Sequence, residues 1–262
     1  MGTVKLLLCL LLAVAPLQDE TPAPAPERVS EVVQSLKKAL AGKEKEPKTR
    51  ALHEAGRVPA KEVVVAIRRA FRDEDPEVEQ AGIQALRFLE HEDALDALHA
   101  LLEKDRTVKK NPELVASAWK AIGQHANPRS VRALAKEPFD AKNGPATRAR
   151  LLGLGRIRST ESLEALLGLL KSTTPRTVER HMRDLRMSLM VLTGVDQGPN
   201  AQSWLRWWRD HKKGFEVAPE RPRLPRTETE RWLDYWGLEE DVGRTKRRED
   251  RGDDPERRGA RP

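Results

Sequence analysis

The sequence predicts an all-α protein built as a stack of about five helix pairs, and three observations carry that expectation. The first is composition. Of 262 residues, 34% are charged and 4% aromatic, and Ala, Leu, Arg and Glu recur throughout, a set that favours helices over a β-sandwich or barrel. The second is a period: Ala51-Leu52, Ala85-Leu86, Ala121-Ile122 and Gly153-Leu154 recur at spacings of 34, 36 and 32 residues, as stacked supersecondary units do. The third is a set of legible helix starts. Asp75-Pro76, Asn111-Pro112, Asn127-Pro128 and Thr174-Pro175 each place a side-chain acceptor at the N-cap and proline at the first helical position, and Val58-Pro59 and Gly144-Pro145 mark two more.

In chain order, residues 1–15 read as a secretory signal peptide: Lys5 supplies the positive end, Leu6 to Val14 the apolar stretch, and Ala13-Val14-Ala15 the small-residue site. The stretch is shorter than the ~20 apolar residues a membrane span needs, so no integral span is expected in the mature chain. Pro16 disfavours cleavage and leaves retention as an anchor open. Cys9, the single cysteine, lies inside the apolar stretch, so the mature chain holds no disulfide and no thiolate metal site. Residues 16–26 form a Pro-rich spacer, and residues 27–46 a capping helix.

Residues 47–215 form the array. Its second helices show stripes at Val63, Val64 and Ile67, at Leu95, Leu98 and Leu102, at Val131 and Leu134, and at Leu163, Leu166, Leu167 and Leu170. Spacings of three and four put each set on one helical face, which a lone helix pair cannot bury, so stacked neighbours share a core. The run Val63-Val64-Val65 continues into Ala66-Ile67-Arg68-Arg69-Ala70-Phe71 and belongs to such a helix. At Lys136-Glu137-Pro138-Phe139-Asp140 the third pair's second helix is cut short. Residues 216–262, rich in Pro, Arg, Glu and Asp, are expected to be a largely disordered tail. One short helix is expected there at 228–238, opened by a capping box at Thr227-Glu228-Thr229-Glu230 and carrying Trp232, Leu233 and Trp236, which either folds back on the array or docks into another protein.

The stretch Asp75-Pro76-Glu77-Val78, Ala81, Ala85-Leu86 and Ala94-Leu95-Asp96-Ala97-Leu98 resembles the HEAT repeat, with its Asp-Pro-x-Val turn, Ala-rich first helix and Leu-rich second helix. Residues 145–171 resemble it again through Ala149, Leu152-Gly153-Leu154-Gly155 and Ser162-Leu163-Glu164-Ala165-Leu166-Leu167. Leu192-Thr193-Gly194 followed by Trp204-Leu205-Arg206-Trp207-Trp208 is similar to a terminal segment of HEAT-like proteins exported by bacteria. The resemblance implies a right-handed α-solenoid with a Trp-rich C-terminal cap, located in the periplasm or cell envelope of a bacterium. Trp204, Trp207 and Trp208 share one helix face, as either an end seal or an aromatic groove for glycan or peptide.

No catalytic set stands out. The histidines His53, His91, His99, His125, His181 and His211 are scattered without metal-ligand spacing, and there is no nucleophile elbow or phosphate loop. Glu239-Glu240 and Asp253-Asp254 fall in the tail, where nothing would shift a pKa. No cofactor and no metal are expected. The net charge of +7 lies on the folded part, and from Lys142 to Arg186 ten Lys plus Arg face four Asp plus Glu. Arg148, Arg150, Arg156, Arg158, Arg176, Arg180, Arg183 and Arg186 would align as a stripe if first helices stack. The expected function is therefore a non-catalytic scaffold that grips another protein. The alternative is a binder of an anionic polymer such as glycan, lipid head groups or nucleic acid, and fold analogy alone leaves room for an enzyme or lyase. The candidate binding residues are Arg148, Arg150, Arg156, Arg176, Arg180, Arg183, Trp204, Trp207, Trp208, Trp232 and Trp236.

Overall fold

A computed structural model describes residues 23–73 and 75–238. The expected signal peptide with Cys9, most of the spacer, and the carboxylate pairs Glu239-Glu240 and Asp253-Asp254 lie outside the described residues.

The described chain is all-helical. It opens with α1 (Pro26–Ala41), α2 (Lys45–Ala55) and α3 (Lys61–Ile67), which continues as a tight 3₁₀ turn over Arg68–Arg72. Then follow α4 (Pro76–Phe88), α5 (Glu92–Lys104), α6 (Arg106–Lys110) and α7 (Pro112–Gln124). A 3₁₀ turn at Pro128–Ser130 leads into α8 (Val131–Ala135), then α9 (Gly144–Arg156), α10 (Thr160–Ser172), α11 (Pro175–Thr193), α12 (Ala201–His211) and α13 (Arg226–Trp236).

Two layers result. The first helices α2, α4, α7, α9 and α11 pack side by side in that order, while α3, α5, α8, α10 and α12 form the second layer. α1 closes the N-terminal end by packing on both α2 and α3. The five expected pairs are therefore present, and the third pair's second helix is the short α8.

Local chemistry explains the boundaries. The side chains of Asp75, Asn111 and Asn200 accept from the second amide of α4, α7 and α12, and Asn127 does the same for its 3₁₀ turn. Three starts differ from expectation. α3 begins at Lys61, because Pro59 precedes an extended Ala60. α9 begins at Gly144 because Asn143 caps it, accepting from Ala146 at 3.0 Å. Thr174 precedes Pro175 but makes no side-chain cap, its hydroxyl donating instead to Thr177. The long α11 stops at Gly194, whose φ of 76° suits a residue without Cβ.

The repeated Ala-Leu positions form the spine of the core. Leu52, Leu86, Ile122 and Leu154 are each fully buried, and such burial contributes roughly 1.5–3 kcal/mol per side chain. Small residues between first helices let backbones approach. A Cβ on Gly155 would lie 2.7 Å from Cα of Ser188, and one on Gly123 2.8 Å from Cα of Gly153, so α7, α9 and α11 stack almost backbone to backbone.

The segment from 216 to 238 departs from the expected tail. Val217 and Leu224 pack on the main core, and α13 lies on the array with Trp232, Leu233 and Trp236 buried. The expected capping box does not form. α13 starts at Arg226 after Pro225 with no side-chain cap; Thr229 donates to the Leu224 carbonyl, while Glu228 and Glu230 pair with Arg231 and Arg226. Averaged over 47 residues the composition looks too polar to fold, yet its apolar area is concentrated within the eleven residues of α13.

Candidate protein-binding surface

The two layers differ in what covers them. On the first-helix layer, Trp232 and Trp236 sit with Leu152 of α9 and with Met187 and Val191 of α11. Gly123 of α7 leaves room for the Trp236 ring, whose Cη2 would be 2.8 Å from an added Cβ. Arg87 of α4, largely buried, donates to the Trp236 carbonyl at 2.9 Å, which satisfies an orphan acceptor at the end of α13. The Arg156 guanidinium lies 5.0 Å above the Trp236 ring, and the Tyr235 ring is flanked by Lys120 at 4.6 Å and Arg148 at 5.1 Å. Burial pushes the Tyr235 phenol up and the Arg87, Lys120 and Arg156 cations down. One helix thus spans α4, α7, α9 and α11.

Most arginines of the expected stripe are engaged inside the fold. Arg150 donates to the Leu134, Glu137, Ala133 and Lys136 carbonyls and so completes the end of the short α8. It lies 4.4 Å from the Trp119 ring, and burial pushes its pKa down to about 10. Arg156 donates to the Gln124 carbonyl, and Arg158 to those of Val191 and Ala218. Arg148 pairs with Asp184 at 3.4 Å; burial raises that carboxyl and Arg148 opposes the rise. Arg186 holds Asp196 with two donors and keeps its carboxyl below the usual range. Arg176, Arg180 and Arg183 are exposed and have no ion-pair partner among the described residues.

The tryptophans of α12 pack as an end seal. Trp204 is fully buried and donates to the Gly198 carbonyl at 2.9 Å. Trp207 and Trp208 are half-buried, and Phe215 meets both edge-on at 5.5 and 5.8 Å. His211 stacks on Trp207 at 5.1 Å.

The second-helix layer is different. Between α1, α3 with its 3₁₀ turn, and α5 there is an open groove of about 810 Å³. Its apolar wall comes from Leu40, Val65, Phe71, Ala97, Ala100 and Leu101, and its cations are Lys37, Arg68, Arg69, Arg72 and Lys104. All five cations are exposed. Asp73 and Asp105 also line it, but Asp73 is bound by Lys48 at 2.6 Å and Asp105 accepts from two amides at the start of α6. Sequence reasoning missed this site. The signal was present in Arg68-Arg69 and Arg72, but the apolar run around them reads first as core.

The histidines have local roles. His91 caps α5, His99 contacts the Ser130 hydroxyl at 3.0 Å, and His125 the Leu86 carbonyl at 2.9 Å; burial lowers the pKa of the last two. Among the described residues no three His, Cys, Asp or Glu cluster to hold a metal, and no helix is long and apolar enough to cross a membrane.

Residues 33–111, covering most of α1 through α6, match the family model described as HEAT repeats. That stretch carries HEAT repeats. No curated protein matches it. The match joins α2/α3 and α4/α5, the two pairs whose second helices line the basic groove, to a family whose arrays generally act as non-catalytic scaffolds.

Proposed function

We propose that this HEAT-repeat chain is a non-catalytic protein-binding scaffold, exported through its N-terminal segment to the periplasm or surface of a bacterium. One observation carries the reading: the first-helix layer is occupied by the chain's own α13, while the second-helix layer keeps an open groove with an exposed apolar residue, Val65, 54% accessible, in its wall. Repeat arrays use such extended faces to bind partners, and a concave site with an apolar wall and a few polar groups at its rim suits a bound partner. Export rests on Lys5 and the Leu6 to Val14 stretch.

The test is affinity capture from native envelope fractions with the wild-type chain and with Val65→Asp. The scaffold reading expects a partner retained by wild type and lost by the variant at unchanged melting temperature. The same partners on both, or none on either, would count against it. A second reading, an anionic polymer bound at Arg176, Arg180 and Arg183, is favoured by their exposure without an ion-pair partner among the described residues. It predicts affinity falling steeply with salt and unaffected by Val65→Asp.

A further inference from the structure

We infer that the groove between α1, α3 and α5 takes an extended acidic peptide segment carrying aliphatic side chains, an inference that rests on the scaffold reading above.

Charge complementarity selects the occupant. Some cations in this half of the molecule find partners, as Lys45 does with Glu77 at 2.8 Å, Arg129 with Asp96 at 3.0 Å and Arg28 with Glu31 at 3.7 Å, and others are spread singly over the surface, whereas five converge on this groove. The five cations of the groove have no ion-pair partner among the described residues. The two carboxylates in its wall are already engaged, Asp73 by Lys48 and the Asp75 amide, Asp105 by the Thr107 and Val108 amides. The groove therefore presents a cationic rim with its internal counter-charges committed. The 3₁₀ geometry at Arg68–Arg72 sharpens this, because at three residues per turn Arg69 and Arg72 lie one above the other on the same side. Two arginines in this register suit successive carboxylates, to which arginine binds bidentately.

The wall selects the rest. Val65, Leu40, Ala97 and Ala100 offer aliphatic and small contacts that suit Leu or Val side chains on alternate positions of an extended segment. The one aromatic residue in the wall, Phe71, is only 7% exposed. It cannot serve as a stacking platform, which single-stranded nucleic acid binding sites use.

The experiment is fluorescence anisotropy on the full mature chain with three probes: a labelled peptide of alternating Glu and Leu, about ten residues long, whose extended form separates the two side-chain types onto opposite faces; the same peptide with Gln for Glu; and an oligothymidylate of equal charge. The acidic peptide should bind about tenfold or more tighter than the Gln peptide, a difference of ~1.4 kcal/mol, and tighter than the oligonucleotide. Arg68→Glu/Arg69→Glu/Arg72→Glu should remove that preference, and Val65→Asp should weaken binding, each at unchanged melting temperature because all four side chains are exposed. Equal binding of the Gln peptide, tighter binding of the oligonucleotide, or indifference to the charge reversal would overturn the inference. An envelope partner lost on Val65→Asp but not displaced by the acidic peptide would overturn it while leaving the scaffold standing. If Val65→Asp changes neither capture nor peptide binding, both fall.

Discussion

The fourth first helix, α9, with the loop after it, and the 3₁₀ turn that follows α3 both carry dense arginine, yet they use it in opposite ways. Arg150, Arg156 and Arg158 turn inward to backbone carbonyls, whereas Arg68, Arg69 and Arg72 stay exposed along a groove. What decides is the supply of orphan acceptors. The short α8 ends early and leaves carbonyls that Arg150 satisfies; α7 and α11 end where Arg156 and Arg158 reach across from the neighbouring repeat. The arginines of the 3₁₀ turn at Arg68–Arg72 are exposed and donate to no carbonyl among the described residues. A count of charges cannot see this difference.

The contrast can be broken or sharpened by substitution. The largest effect is expected for Trp236→Ala, which empties the fully buried site between Gly123, Met187 and Val191. Its cost should be about 3–5 kcal/mol, or a melting-point loss of about 10 °C in a chain of this size. A loss of under about 2 °C would mean that α13 contributes little to the first-helix layer. Next is Arg150→Met, which keeps the stem over Trp119 but orphans the carbonyls at the end of α8. It should destabilise by about 1–3 kcal/mol in urea unfolding. If it is neutral, Arg150 belongs with the free arginines after all.

A smaller, pH-dependent effect is expected at Glu79, a buried carboxylate of α4 whose Oε1 has no hydrogen-bond partner. Burial, with Asp105 and Asp73 nearby, raises its folded pKa above the ordinary 4.5. The folded state then holds the proton more tightly than the unfolded one, so this group lowers stability as pH rises above 4.5. Glu79→Gln should raise the melting temperature at pH 7 and leave it nearly unchanged well below pH 4.5; equal gains at both would refute the assignment. The smallest effect on stability, within about 0.5 kcal/mol, is expected for the triple charge reversal at Arg68, Arg69 and Arg72, even though it should remove acidic-peptide binding. A large destabilisation would place those arginines in the fold rather than at a site.

Much of the architecture was legible along the chain because its causes are local. Asp75, Asn111, Asn127 and Asn200 act within two residues of themselves, and the spacing of Leu52, Leu86, Ile122 and Leu154 reflects one repeated packing problem. The Trp204 face likewise follows from helical spacing. The site was not legible in the same way. Lys37, Arg68 and Lys104 come from three elements far apart in sequence, and the candidate stripe at Arg148, Arg150 and Arg156 looked better because its members lie close together. The helix carrying Trp232 and Trp236 was legible from its spacing, but whether it folds back on the array or docks elsewhere was not, because that depends on Leu152, Met187 and Val191 far away in sequence.

The sequence by itself determined the helical class, the five pairs, the short third pair and the Trp-rich end, because caps, periodicity and glycine stops act over a turn or two of helix. Only the tertiary structure decided which cations are spent and which face is open, because that depends on where a neighbouring repeat leaves unmet carbonyls and where α13 comes to rest across α4, α7, α9 and α11.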